Sequence, residues 1–343
     1  MPLTSDITLN AGKFDPAAAS EQSKRLNDRL IEFIEKGPKW YEVGAAKYRE
    51  MRLKGETAFP APKVLPDAID IKIRSRDAGR GIPCRLMYPK ARTTAEERKK
   101  CLGVIIHFHG GGWVIGDEKS QDPLLSFYAD MADAAVISVG YRLAPEDPFP
   151  RGPEDCYDAA EYLFKTSEAE FGGPVRFIGG ESAGAHLSVV TAYHLLTTHP
   201  TFNLSGLLLH FGCYDLCNGF PSSINFSRPL ILNREMISHF VNAFVPNMTP
   251  EQKIHPSVSP YYENLEKYRG RLPPALFTCG TEDPLLDDSV VMATKWLMAG
   301  GYAILKIYPG APHGFTGFPD MLDEAGQALD DTKTFIQEQL EKP

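Results

Sequence analysis

The chain has 343 residues, of which 43% are apolar and 23% charged, enough to bury a sizeable core and too apolar for disorder on a large scale. Its formal net charge is −8 and no stretch gathers Lys and Arg into a stripe, which argues against nucleic acid as a partner. No segment approaches the ~20 apolar residues a spanning helix needs, so no membrane span is expected.

Residues 1–62 read as helical, with Leu26, Leu30, Phe33 and Ile34 spaced as one apolar face, and they close in the run Phe59-Pro60-Ala61-Pro62. Met1 to Asn10 lack the basic start and apolar run of a secretory signal, so a cytoplasmic location is expected. Ile69 to Arg74 and Ile82 to Tyr88 alternate polar with apolar, as suits an antiparallel edge pair. The next runs are almost continuously apolar: Leu102 to Phe108, Ala135 to Val139, Val175 to Ile178, Gly206 to Phe211, Ala275 to Cys279 and Ile304 to Tyr308. Strands of that kind are covered on both faces. Between them, Pro123 to Asp133, Pro153 to Lys165, Ala183 to Leu196, Pro284 to Met298 and Asp320 to Gln339 carry helical spacing. The alternation predicts an α/β fold, a mostly parallel central sheet with helices on both faces.

Residues 215–262, rich in Phe, Pro and Asn, form a long excursion between two sheet strands. Long insertions in compact domains are usually functional or disordered, and this one is expected to lie over the carboxyl edge of the sheet together with the N-terminal helices. The expected organisation is a helical cap from residues 1–62, a first core part over 63–214, a cap insertion over 215–262 and a second core part over 263–343. The six cysteines are scattered without the paired spacing of a zinc site, so free and mostly buried thiols are expected, and no metal. Three glycosylation triplets, at Asn203, Asn225 and Asn247, read as chance in a chain without a secretory signal.

Gly180-Glu181-Ser182-Ala183-Gly184 falls between a buried strand and a helix, the context of a nucleophile elbow. The flanking glycines suit a turn so sharp that a side chain would strike its neighbours. A serine hydroxyl is a weak nucleophile at neutral pH and needs a base, which in turn needs an orienting acid. Of nine histidines only His313 follows residue 255, in a loop after the last strand. The loop after the preceding strand offers Asp283, with Glu282, Asp287 and Asp288 as rivals. Asp287 and Asp288 fall in the next helix, where they suit its positive end, and Glu282 points away from Asp283 in extended backbone. Catalytic residues are therefore expected at Ser182, Asp283 and His313. The run His109-Gly110-Gly111-Gly112-Trp113 follows a strand and lacks the Gly-Lys-Ser/Thr of a phosphate loop. Its glycines let backbone N–H groups approach an oxyanion, so Gly110, Gly111 and Ala183 are expected to form an oxyanion hole.

These residues and their order resemble the hormone-sensitive-lipase-like branch of the α/β-hydrolase superfamily, which includes microbial carboxylesterases and arylacetamide deacetylases. The resemblance rests on the runs 109–113 and 180–184, Tyr141-Arg142-Leu143-Ala144-Pro145-Glu146 with Pro148-Phe149-Pro150, Asp283-Pro284-Leu285 and His313-Gly314-Phe315. It implies that the segment from Tyr141 to Glu146 supports the site from beneath, and that N-terminal and mid-chain caps cover it. Glu181, where Asp is commoner, and Ala185, where a further Gly is common, depart from the pattern.

The implied activity is cleavage of carboxylic esters through an acyl-enzyme on Ser182, with no cofactor. A short-chain or aryl ester is the expected partner, with Phe220, Phe226, Phe240, Phe244, Trp40 and Tyr41 lining an apolar pocket and Trp113 and Phe315 binding substrate. A homodimer stays open. The same acyl-enzyme serves an amidase, a lactonase or an acyltransferase. A non-catalytic small-molecule receptor on the same scaffold lacks a working histidine, whereas His313 is present.

Overall fold

The computed structural model describes residues 8–217 and 219–342. Residues 1–7, the greater part of the stretch read for a secretory signal and the start of the expected N-terminal cap, lie outside the described residues. The strands are β1 (Ile69–Arg74), β2 (Gly81–Met87), β3 (Val104–Phe108), β4 (Ala135–Val139), β5 (Val175–Glu181), β6 (Gly206–His210), β7 (Ala275–Glu282) and β8 (Ala303–Pro312). The helices are α1 (Glu21–Lys36), α2 (Trp40–Val43), α3 (Ala45–Lys54), α4 (Ala95–Arg98), α5 (Asp122–Ala132), α6 (Arg151–Phe171) and α7 (Ala183–Thr198). There follow α8 (Pro221–Asn225), α9 (Arg234–Phe244), α10 (Pro250–Lys253), α11 (Leu286–Met298) and α12 (Asp323–Leu340).

All eight expected strands pair into one sheet of order β1-β2-β4-β3-β5-β6-β7-β8. β2 runs antiparallel to both of its neighbours, and every other pairing from β4 to β8 is parallel. The period of two in each strand sends alternate residues to opposite faces. Val104, Ile106 and Phe108 of β3 join a core with Leu163 of α6, Leu187 of α7 and Trp296 of α11. Ile105 of the same strand, with Phe177 and Leu208, meets Leu125 and Tyr128 of α5 and Phe335 of α12. Helices therefore cover both faces, which is why these strands read as unbroken apolar runs.

Helix α1 begins on Ser20, whose hydroxyl accepts from Ser23 N. It buries Leu26, Leu30 and Ile34, and Asn27 Nδ2 donates 2.9 Å to the Gly310 carbonyl at the end of β8. Phe33, expected on the same face, is 42% exposed because it lies on the flank of the stripe. Helix α3 has no apolar stripe and buries only Ala45. Polar contacts dock it instead: Arg49 donates to the carbonyls of Val114 (2.7 Å) and Ala144 (2.8 Å) and to the Glu146 carboxylate. Five of the six cysteines are buried, all six are free, and among the described residues no helix is long and apolar enough to cross a membrane.

Candidate active site

Four strand ends converge at one edge of the sheet. β5 runs directly into Ser182, which opens α7 with φ 56° and ψ −117°, a backbone conformation costly for any residue with a side chain. Crowding holds it there. A Cβ on Gly180 would stand 2.2 Å from the Phe108 carbonyl oxygen, and one on Gly184 only 1.9 Å from the same atom. Glycines on either side of the serine therefore let β3, β5 and α7 close up around the turn. Ser182 N donates to the His210 carbonyl (2.8 Å), which anchors the turn to β6.

His313 follows the end of β8 and is 6% exposed. Its Nε2 lies 2.9 Å from Ser182 Oγ and its Nδ1 2.9 Å from Asp283 Oδ2. Asp283 is buried just past β7, and its Oδ1 accepts from Leu285 N (2.9 Å). The rivals go elsewhere. Glu282 pairs with Arg228 at the surface. Asp287 accepts from Ser222 N, and Asp288 Oδ1 accepts from Tyr214 N (2.6 Å) and Asp215 N (3.0 Å). The two aspartates thus tie α11 to the start of the 215–262 segment, where the sequence suggested a service to the helix end. Burial, opposed by those two N–H groups, pushes the Asp288 carboxyl up to about 8.

The loop after β3 turns sharply, with positive φ at Gly111 (116°), Gly112 (60°) and Trp113 (61°). A Cβ on Gly111 would meet the Ile115 carbonyl at 2.0 Å, and one on Gly112 the Phe240 ring at 2.3 Å. Among the described residues, the N–H groups of Gly110, Gly111 and Ala183 donate to no backbone carbonyl outside regular helix and strand bonding. Tyr141 supports this loop from below: its hydroxyl donates to the His109 carbonyl (2.8 Å) and its ring stacks on His109 at 4.3 Å. This is the supporting position that the resemblance implied.

Beneath the serine lies a buried polar chain that sequence reasoning missed. Glu181 accepts from Gln121 Nε2 (2.8 Å) and lies 3.1 Å from His107 Nε2, while His107 Nδ1 reaches Ser138 Oγ at 2.9 Å. Burial alone would raise the Glu181 carboxyl, yet His107, His210 and Gln121 together hold it below the ordinary carboxylate range. His107 was legible only as part of an apolar strand. The strand alternation that turns it away from Ile106 also turns it toward Glu181.

A cavity of about 780 Å³ opens on Ser182, His313 and the glycine loop. Trp40 and Phe240 line it, stacked at 5.1 Å, as expected. The other proposed aromatics do not: Phe220 packs on Tyr261, Phe226 against the core beside α1, Phe244 on Trp113, and Tyr41 on His239. Trp113 reaches the cavity wall but is 3% exposed, with its indole N–H donating to His186 Nδ1 (3.2 Å). Phe315, expected to bind substrate, is fully buried against Phe211 and Tyr308 and stands outside the cavity. The short helical turn after His313 rotates it into the core, so that Gly314, Thr316 and Gly317 face the cavity instead. Tyr48, Arg52 and Phe59 line it without any motif that could have announced them.

A family profile for the alpha/beta hydrolase fold matches residues 105–317. Carboxylesterase NlhH of Mycobacterium tuberculosis is 30% identical over 295 residues, 84% of this chain and 86% of that one. Ethyl acetate hydrolase of Pseudomonas putida is 28% identical over 77% of this chain and 80% of its own. Among solved structures, a hyperthermophilic esterase from the archaeon Pyrobaculum calidifontis superposes with a TM-score of 0.77 at 26% identity, covering 93% of this chain and 98% of that one. The chain belongs to the α/β-hydrolase fold family, in its hormone-sensitive-lipase-like branch, and is an ester-cleaving serine hydrolase of the carboxylesterase type.

Proposed function

We propose that Ser182 is the nucleophile, His313 its base and Asp283 the group that orients and stabilises the imidazolium. The observation that carries this reading is the unbroken line Ser182 Oγ, His313 Nε2, His313 Nδ1, Asp283 Oδ2, with 2.9 Å at both hydrogen bonds. Attack of Oγ on the ester carbonyl passes the serine proton to Nε2 and places negative charge on the carbonyl oxygen. The N–H groups of Gly110, Gly111 and Ala183 receive that charge, each contributing on the order of 3 kcal/mol. His313 protonates the departing alcohol, then takes a proton from water as the water attacks the acyl-enzyme, and Ser182 is restored.

The described part of residues 1–62, together with 215–262, acts as the cap over a core formed by 63–214 and 263–343, and the partner is a small-molecule ester, short-chain or aryl. A cavity of about 780 Å³, walled by Trp40 and Phe240, supports this size class, since small-molecule sites span roughly 300–1,000 Å³. The name of the Pseudomonas putida relative points to a short ester as well. Steady-state hydrolysis of p-nitrophenyl acetate tests the assignment. Ser182→Ala is expected to lower kcat by about 10⁴-fold or more while the far-UV spectrum stays unchanged. A Ser182→Ala variant that keeps a tenth of the activity would remove the serine from its role.

A further inference from the structure

The cavity lining is mainly apolar, and several of its polar side chains are already engaged within the protein. Glu181 is engaged by His107 and Gln121, and the Ser120 hydroxyl donates to Asp117 (2.6 Å). Two residues on α3 stand apart. Tyr48 and Arg52 are one helical turn apart, so both project from one face, and both line the cavity. Arg49, on the neighbouring face, is consumed in docking the helix.

Arg52 is half-buried. One of its nitrogens donates to the Pro60 carbonyl (2.5 Å), and its guanidinium lies 4.9 Å from the centre of the Phe59 ring. Among the described residues no carboxylate comes within ion-pair distance of it, and Asp117 acts on it only from farther away. The Tyr48 hydroxyl likewise has no hydrogen-bond partner among them. A guanidinium partly withdrawn from water without a counter-ion is costly, and its planar fork matches a carboxylate bidentately. Lys63, exposed at the rim, adds charge of the same sign, set against the exposed Asp320. Phe59, Leu124 and Phe127 add apolar surface to the same cavity.

We propose that Tyr48 and Arg52 form a subsite for a carboxylate carried by the substrate, so that the preferred esters bear a free carboxylate at the far end of the acyl or the alcohol part. This inference rests on the reading of Ser182 as the nucleophile. The subsite binds and orients; bond making and breaking stay with Ser182 and His313.

The test compares kcat/KM within matched pairs, so that any general loss in a variant cancels. One pair carries the carboxylate on the acyl side, methyl hydrogen adipate against methyl adipamate. The other carries it on the alcohol side, O-acetyl-4-hydroxybutanoate against its amide. The wild type is expected to favour the carboxylate member of at least one pair by about 10-fold or more, and the pair that shows it identifies the side. Arg52→Gln is expected to abolish that ratio, Arg52→Lys to keep part of it, Tyr48→Phe to lower it about 3-fold, and added salt to shrink it in the wild type. Ratios near one in both wild-type pairs would overturn the subsite. So would an Arg52→Gln ratio equal to the wild type's with both rates reduced, which is the signature of Arg52 merely holding the segment around Pro60. Failure to hydrolyse p-nitrophenyl acetate as well would instead overturn the nucleophile assignment and the subsite with it.

Discussion

Gly184→Ala puts two physical effects in opposition at the elbow. Glycine is a poor helix former, and replacing it with alanine inside a helix gains at most about 1 kcal/mol. At this position the new Cβ would stand 1.9 Å from the Phe108 carbonyl oxygen and 2.9 Å from that of His109, where real Cβ atoms essentially never come within 3.0 Å. The gap from 1.9 to 3.0 Å requires α7 and the end of β3 to separate by about 1 Å. Overpacking of this kind costs about 1–3 kcal/mol, so the net effect is destabilising. The displacement also separates Ala183 from Gly110 and Gly111, and a misplacement near 1 Å costs roughly 100-fold in rate. Gly326→Ala in α12 is the control, because nothing lies within 4 Å of its added Cβ. It is expected to stabilise by about 0.5–1 kcal/mol and leave kcat unchanged. Urea unfolding and p-nitrophenyl acetate turnover read both quantities. A Gly184→Ala variant stabilised like Gly326→Ala, with wild-type kcat, would refute the crowded-elbow argument.

Asp288, held up to about 8 against about 4 in an unfolded chain, is protonated in the fold at neutral pH. A raised folded-state value gives a contribution fully present below about pH 4 and lost as pH rises through about 8. Asp288→Asn keeps an acceptor for Tyr214 N and Asp215 N, so its stability relative to the wild type should grow across that window, and a pH-independent difference would argue against a neutral Asp288. His186 and His210, both lowered to about 4 by burial, have the opposite sign. Their neutral forms contribute stability above about pH 6.5 that is lost as pH falls through about 4. His186→Gln should flatten part of the acid loss in urea midpoints measured from pH 7 to pH 4, and an unaltered slope would contradict the assignment.

The strands were legible because continuous apolar runs and the sheet's two covered faces are the same fact, and the line from Ser182 through His313 to Asp283 because chain order and loop position leave few alternatives. Orientation was harder to read. Phe315 stands two residues from His313, yet left-handed Gly314 and the helical turn that Phe315 opens point its ring into the core. The docking of α3 had no periodic signal, since Arg49 holds it through carbonyls 65 and 95 residues away. Of the aromatic residues expected in the pocket, only those whose helices face it, Trp40 and Phe240, joined Trp113 in its wall.

Reaction with a fluorophosphonate, followed by intact mass and peptide mapping, tests the role of Ser182 most directly. One adduct per chain is expected, on the peptide containing Ser182, absent from Ser182→Ala and slowed by orders of magnitude in His313→Ala. An adduct mapped to another residue, or labelling of Ser182→Ala at the wild-type rate, would contradict the account.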